Sequence, residues 1–288
     1  MAPLNDTIAA LDRLPALPAT SMRLISMLAG GGRDADLRDV ECIVGHDEAV
    51  TAAVLRRANS AAFGMRGRIA GLGDAIRRLG TRELCRSALE TQTSGMLANA
   101  GRSYGLRRGA LSLSALGGAI AADQLARLHG ANREVAFVAA LLRDIGKLAI
   151  DAVAGPDALE RIAAAADTRP FLAYEREAFG ADHAALGAML CERWSLPSEI
   201  VGAVRGHHEP PSNPAEPLTD VVHAADCIAR WAGLGLGCDG LMYPFDAAAR
   251  ERLGLSRDAL EAIVADVLAA IAPDHTAANS PLPLRRTA

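Results

Sequence analysis

FVAALLRDIGKLAI, residues Phe137–Ile150, is an apolar helical run interrupted by Arg143, Asp144 and Lys147. Asp144 and Lys147 are three residues apart, so on a helix they share a face. Charged side chains inside such a run are either buried as partners or form a site. The second reading is a metal or phosphate centre, for which an aspartate and a lysine are suitable groups. Further along lie His183, the pair His207–His208, and Asp226, at helix-scale spacings. The question posed by the sequence is whether these residues form a working hydrolytic centre or the remains of one.

The chain has 288 residues, enough for one large domain or two small ones. Half of the residues are apolar but only 3% are aromatic, so the core must be built from Ala, Leu, Ile and Val. That mixture favours close-packed helices over a β-sandwich. Five cysteines without a CxxC pair read as reduced thiols. The N-terminus, MAPLNDTIAALDRL, has no basic segment followed by an apolar one, and no run approaches the length of a membrane span. The expectation is a cytoplasmic protein with no membrane partner.

The helical pattern then extends in both directions. Upstream, segments over 7–14, 19–29, 36–44, 47–60, 74–79 and 81–97 alternate with Pro- or Gly-containing connections, with Thr20 or Ser21 a candidate cap for the second, Asp47 for the fourth, and Gly80–Thr81 a stop and new cap between the last two. The polar stretch 99–108 marks a domain boundary. Helices are expected over 111–128, 133–150, 157–167 and 170–179, then from Asp182, which caps the helix carrying His183. Another stops at Pro210, and one covers 218–234. Ser256 caps the last, with Leu260, Ile263, Val264, Val267, Leu268 and Ile271 on one face. The fold class is all-α. An N-terminal helical lobe spans 1–105, a helical domain 106–272, and a disordered tail 273–288.

Five stretches together resemble the HDOD family, a degenerate branch of the HD-domain phosphohydrolases similar to the HD-GYP type. They are LPALP at 14–18; IVGHDEAVTAAVLRRANSAAFG at 43–64; Ile69 with Asp74, Ala75, Ile76 and Leu79–Gly80; LLRDIGKL at 141–148; and FGADHAALGAMLCERWSLPSEIVGAVRGHHEP from 179. In the second, Asp47, Leu55, Arg56, Asn59, Ser60 and Gly64 fit the family pattern, and Val50 stands where Leu is usual. The resemblance implies an N-terminal helical lobe packed on an HD-like helical bundle. It also implies a role in bacterial signal transduction without demonstrated enzyme activity.

The departures concern the metal ligands of the active relatives. The resemblance places the first histidine position near Leu113 and makes the histidine of the HD dyad Arg143. One metal position thereby loses two ligands. A second position, with Asp144, His183, His207 and His208, retains its set, and Asp226 remains near by. Three histidines and an aspartate suit Fe, Zn, Ni or Mn. Arg143 would repel a divalent ion, or occupy the vacant place and offer its fork to a phosphate. Lys147 is the candidate phosphate contact.

His46–Asp47 spells HD but falls in the first lobe, where Asp47 reads as a cap. Arg56, Asn59 and Ser60 are candidate ligand-facing residues, with helix-end capping as the alternative for Asn59 and Ser60. His223 lies three residues before Asp226 as a candidate partner. Residues 56–108 hold eleven arginines against three acids in a chain of net charge −4. Such a lobe suits a phosphate-bearing ligand or an acidic partner, but scarce aromatics leave little to stack bases, which argues against nucleic acid. Three readings result: a non-catalytic signalling module of HDOD type that binds a partner protein or a nucleotide, a metal-dependent phosphohydrolase acting on a nucleotide or cyclic dinucleotide, and a nucleic-acid or acidic-protein binder using the Arg-rich lobe.

Overall fold

The computed structural model describes residues 4–30, 37–60, 67, 69–155, 157, 158, 160, 164, 170–214 and 216–272. Among them every regular element is helical: α1 (Leu4–Arg13), α2 (Ala19–Ala29), α3 (Leu37–Gly45), α4 (Glu48–Ala58) and α5 (Leu72–Leu97). A short 3-10 turn (Arg102–Tyr104) precedes α6 (Ala110–His129), α7 (Arg133–Leu142), α8 (Lys147–Val153) and α9 (Phe171–Phe179). Next come α10 (His183–Arg193), α11 (Ser198–Gly206), α12 (Leu218–Trp231), α13 (Ala247–Arg252) and α14 (Arg257–Ile271). The expected tail from Pro273, and most of the helix expected over 157–167, lie outside the described residues. No helix among them is long and apolar enough to cross a membrane.

The chain divides into two compact units, one of Met1–Pro15 with Met96–Ala288, the other Ala16–Gly95. The sequence places residues 1–105 together. In the structure α1 groups with the larger unit instead, because it packs on α8 and Thr7 Oγ1 donates to Phe179 O at 2.8 Å.

The smaller unit is organised by a few side chains that finish helix ends. Asp47 caps α4 by accepting from Ala49 N at 3.0 Å and Val50 N at 3.1 Å. Helix α2 starts at Ala19 with no side-chain cap, because Thr20 and Ser21 are both engaged with Gln92. Asn59 ends α4: its Nδ2 donates to Leu55 O and Ile69 O, and its Oδ1 accepts from Ile69 N, each at 2.8 Å. Gly80 breaks α5 with φ 77°, a conformation that a residue with a Cβ adopts only with strain.

In the larger unit α6 packs against α7, α12 and α14, and α10 packs against α11. Small residues on α6 set these distances. A Cβ on Gly117 would meet Leu234 Cδ1 at 2.3 Å, and one on Gly118 would meet Arg143 Nη1 at 2.3 Å. On α14, Leu260, Ile263, Val267 and Ile271 are buried as expected, whereas Leu268 is 42% exposed.

The helix expected over 133–150 is two helices. Helix α7 ends at Leu142, residues 143–146 turn, and α8 begins at Lys147. The cause is the approach of α10: a Cβ on Gly146 would lie 2.0 Å from His183 O and 2.5 Å from Gly187 N. The break sits at the charged residues and aims them inward. Gly146→Ala is therefore expected to destabilise the protein by about 3 kcal/mol, the upper end of overpacking costs, seen as a lower urea midpoint. An unchanged midpoint would show that α8 and α10 can separate freely.

Candidate functional site

All of the charged residues singled out around Phe137–Ile150 converge within the larger unit. Arg143 is fully buried at 0% exposure. Its Nε donates to Asp226 Oδ1 at 2.8 Å, Nη1 to Ser114 O at 3.1 Å and Ala140 O at 2.9 Å, and Nη2 to Ser114 Oγ at 2.7 Å. Asp226 also accepts from Arg230 Nε at 3.0 Å. Burial alone would raise the Asp226 carboxyl, but Arg230 and then Arg143 bring it down to about 2. The guanidinium fork is thus occupied by the protein itself and is not offered to a phosphate. Leu113, where the resemblance expects a ligand, is buried beside Ser114.

Asp144 and Lys147 form the adjoining pair. Lys147 Nζ lies 3.1 Å from Asp144 Oδ1 and 2.9 Å from Asp239 Oδ2. Asp144 Oδ2 lies 3.4 Å from Arg143 Nε. Burial would raise the Asp144 carboxyl, yet Lys147 and Arg143 outweigh it and hold it well below the usual carboxylate range. Burial would lower Lys147, and Asp144 and Asp239 instead raise it. A phosphate could reach this ammonium only by displacing two carboxylates.

Beside them, His183 at the start of α10 and His207–His208 after α11 form a cluster whose ligand nitrogens lie within 4.8 Å of one another. Asp182 places His183 by capping α10 through Ala185 N at 2.8 Å. Gly206 ends α11, turning the two histidines inward earlier than a helix running to Pro210 would. Glu175 on α9 bonds His183 Nδ1 at 2.7 Å and accepts from His183 N at 2.9 Å, and it also accepts from Tyr104 Oη. His183 Nε2 faces His208 Nε2 at 2.9 Å and lies 3.5 Å from Asp144 Oδ1. The Tyr243 ring stacks on His208 at 3.9 Å and 13°.

The three rings titrate differently. His183 would be lowered by burial, but the Glu175 carboxylate raises it. Burial and then His183 lower His207 to about 4. Burial, His207 and His183 push His208 well down. A neutral His207 must carry its proton on Nδ1, which lies 2.6 Å from Val204 O. Its Nε2 is then a lone pair, buried without a hydrogen-bond partner. A lone pair of this kind, with two more imidazoles and Asp144 adjacent, fits one cation that accepts mixed nitrogen and oxygen ligands, such as Zn, Fe, Ni or Mn. The Glu175–His183 bond is the outer support such a ligand usually has.

Asp226 lies across the cluster, 3.6 Å from His208 Nδ1, but its carboxylate is committed to Arg143 and Arg230. His223 does not pair with Asp226: it bonds His207 O at 2.7 Å and accepts from Asp246 N at 2.8 Å. Arg56, Asn59 and Ser60 belong to the other unit, where Arg56 is exposed and the Asn59 amide is taken up at the end of α4. Sequence reasoning did not find Glu175, Tyr104, Tyr243, Asp239, Arg230 or Ser114. Two signals were present: two of the chain's three tyrosines line this centre, and Asp239 is the only acid in the apolar stretch 232–245.

The HDOD domain family is matched by residues 14–210, over half of the chain. An HDOD domain protein with unknown function from Geobacter sulfurreducens shares the fold, with a TM-score of 0.73, 23% identity and 98% of each chain covered. A protein from Shewanella amazonensis, named as a candidate phosphohydrolase, has a TM-score of 0.65 at 26% identity, covering 92% of this chain and 94% of that one. An uncharacterized protein from Treponema pallidum is 27% identical over 227 residues, which are 77% of this chain and 43% of that protein. The chain thus spans less than half the length of that relative.

The neutral histidines set a pH dependence. Below the ordinary value of 6.5 the unfolded His207 binds a proton that the folded one refuses until about 4, and His208 acts in the same direction. His183, raised in the fold, adds no slope below 6.5. Stability of metal-free protein should therefore fall from about pH 6.5 downward, by about 1.4 kcal/mol per unit for each neutral histidine. Urea midpoints at pH 7 and pH 5 check this, and equal midpoints would contradict it.

Proposed function

The chain belongs to the HDOD domain family, and from that premise we propose that it is a non-catalytic signal-transduction module whose HD-like unit serves as a scaffold for a partner protein in the cytoplasm. The observation that carries this reading is Arg143. Two-metal hydrolysis needs one cation to generate hydroxide and both to clamp the displaced oxygens. At the position of the HD dyad this chain has a buried arginine whose donors end on Asp226, Ser114 and Ala140. The fixed charge holds the helices together and leaves no second cation position. A nucleotide or cyclic dinucleotide is the weaker ligand, since Arg143 and Lys147 are both committed to carboxylates.

The unpartnered Nε2 of His207 favours a second reading, in which one divalent ion binds among His183, His207 and His208 with Asp144 beside them. Such an ion would supply Lewis acidity and a water of lowered pKa. Here Glu175 would hold His183 in the right tautomer, and Tyr243 would hold the plane of His208 and keep bulk water off it. The similarity to the candidate phosphohydrolase of Shewanella amazonensis keeps this reading in view.

The two readings separate on turnover. With Mn, Fe, Ni or Zn added, the purified chain should release no product from cyclic dinucleotides, mononucleotide phosphoesters or bis(p-nitrophenyl) phosphate. Metal-dependent turnover abolished by Asp144→Ala would establish the phosphohydrolase instead.

A further inference from the structure

We propose that residues 233–246 form a hinged roof over the three-histidine cluster, latched by the Lys147–Asp239 ion pair, and that opening of this roof controls access to the cluster. The inference rests on the geometry of the cluster and not on what binds there.

This segment runs from the end of α12 to the cap of α13 without forming a helix or strand. Gly233 and Gly235, at φ 78° and 65°, start it in conformations that leave the α12 direction at once. Its inner side covers the site. The Tyr243 ring stacks on His208, and its centroid lies 5.9 Å from that of His183. The polar attachments are discrete. Cys238 N donates to Tyr104 O at 2.8 Å, Arg230 Nη1 donates to Tyr243 O at 2.8 Å, and Asp246 N donates to His223 Nε2 at 2.8 Å.

Asp239 is the one ionised side chain between these attachments. Its Oδ2 holds Lys147 at 2.9 Å, and its Oδ1 is buried with no partner. Outside, Leu236, Leu241 and Met242 are exposed, so the apolar burial of the segment is concentrated in Leu234 at its start and in the Tyr243 ring, which packs on His208 and Phe171. A stretch exposed in its middle and held inward by one buried ring, one ion pair and a few discrete hydrogen bonds opens locally, at lower free energy than the helices it covers. Removing one partner of a buried ion pair releases most of that hold. Lys147 remains paired with Asp144 when the roof lifts, so opening leaves the ammonium compensated.

Amide exchange followed by NMR on the full chain tests this. The Cys238 and Asp246 amides, both bonded in the closed roof, should exchange at a shared rate roughly tenfold or more above that of α12 interior amides such as Ala229. Asp239→Asn should raise the shared rate about tenfold further without changing α12. His208 should be carbethoxylated by diethyl pyrocarbonate faster by the same factor. The proposal is overturned if Cys238 and Asp246 exchange at the α12 rate in the unaltered protein. It is also overturned if Asp239→Asn speeds the segment and α12 equally. No metal or substrate enters the measurement, so its failure and that of the functional reading are separately visible.

Discussion

The Arg143–Asp226 ion pair is the constraint around which the larger unit is assembled. A guanidinium at 0% exposure must have its charge compensated and its donors filled. Asp226 comes from α12, Ser114 from α6 and Ala140 from α7, so satisfying one side chain fixes three helices. Gly118 follows from the same requirement, since a Cβ there would lie 2.3 Å from Arg143 Nη1. Gly146 follows from the neighbouring one, because the turn that points Arg143 and Asp144 inward has to pass close under α10.

The charges around this pair are nearly balanced. Asp144, Asp226, Asp239 and Glu175 face Arg143, Lys147 and Arg230. The excess carboxylate is Glu175, and it is the one bonded to His183. That deficit raises the affinity of His183 for a proton, whereas burial and the neighbouring His183 keep His207 neutral with its lone pair free. A cation among the histidines would fill that deficit, as would a proton on His183. A second divalent ion would have to share the volume with Arg143.

Much of the helical fold was legible in the sequence, because caps and apolar periodicity are local. Asp47, Asp182 and Ser256 cap the helices they were expected to cap. The break inside 133–150 was not legible, since it depends on Gly146 meeting His183 and Gly187 more than thirty residues away. For the same reason Thr20 and Ser21 turned out to serve Gln92 rather than α2. At the site, Asp144, Lys147, His183, His207, His208 and Asp226 could be selected by residue type and spacing. Of their partners, the Asp144–Lys147 pairing was legible from the spacing of three, and the rest were not. Glu175, Asp239 and Tyr243 reach the centre from α9 and an irregular segment, brought there by packing; the scarcity of tyrosine and the lone acid in 232–245 are the local marks that two of them carry, and Glu175 carries none. His223 shows the opposite error: a spacing of three suggested Asp226, and the ring instead ties His207 O to Asp246 N.

Arg143, as proposed, stands in place of one ion of a two-metal centre. The most direct test is the number of metal ions the chain holds, counted by elemental analysis after stripping, reloading with excess Zn or Mn, and desalting. At most one equivalent per chain is expected, lost on His183→Ala. Two equivalents would contradict that proposal, because they would require Arg143 to leave Asp226 and yield its place to an ion.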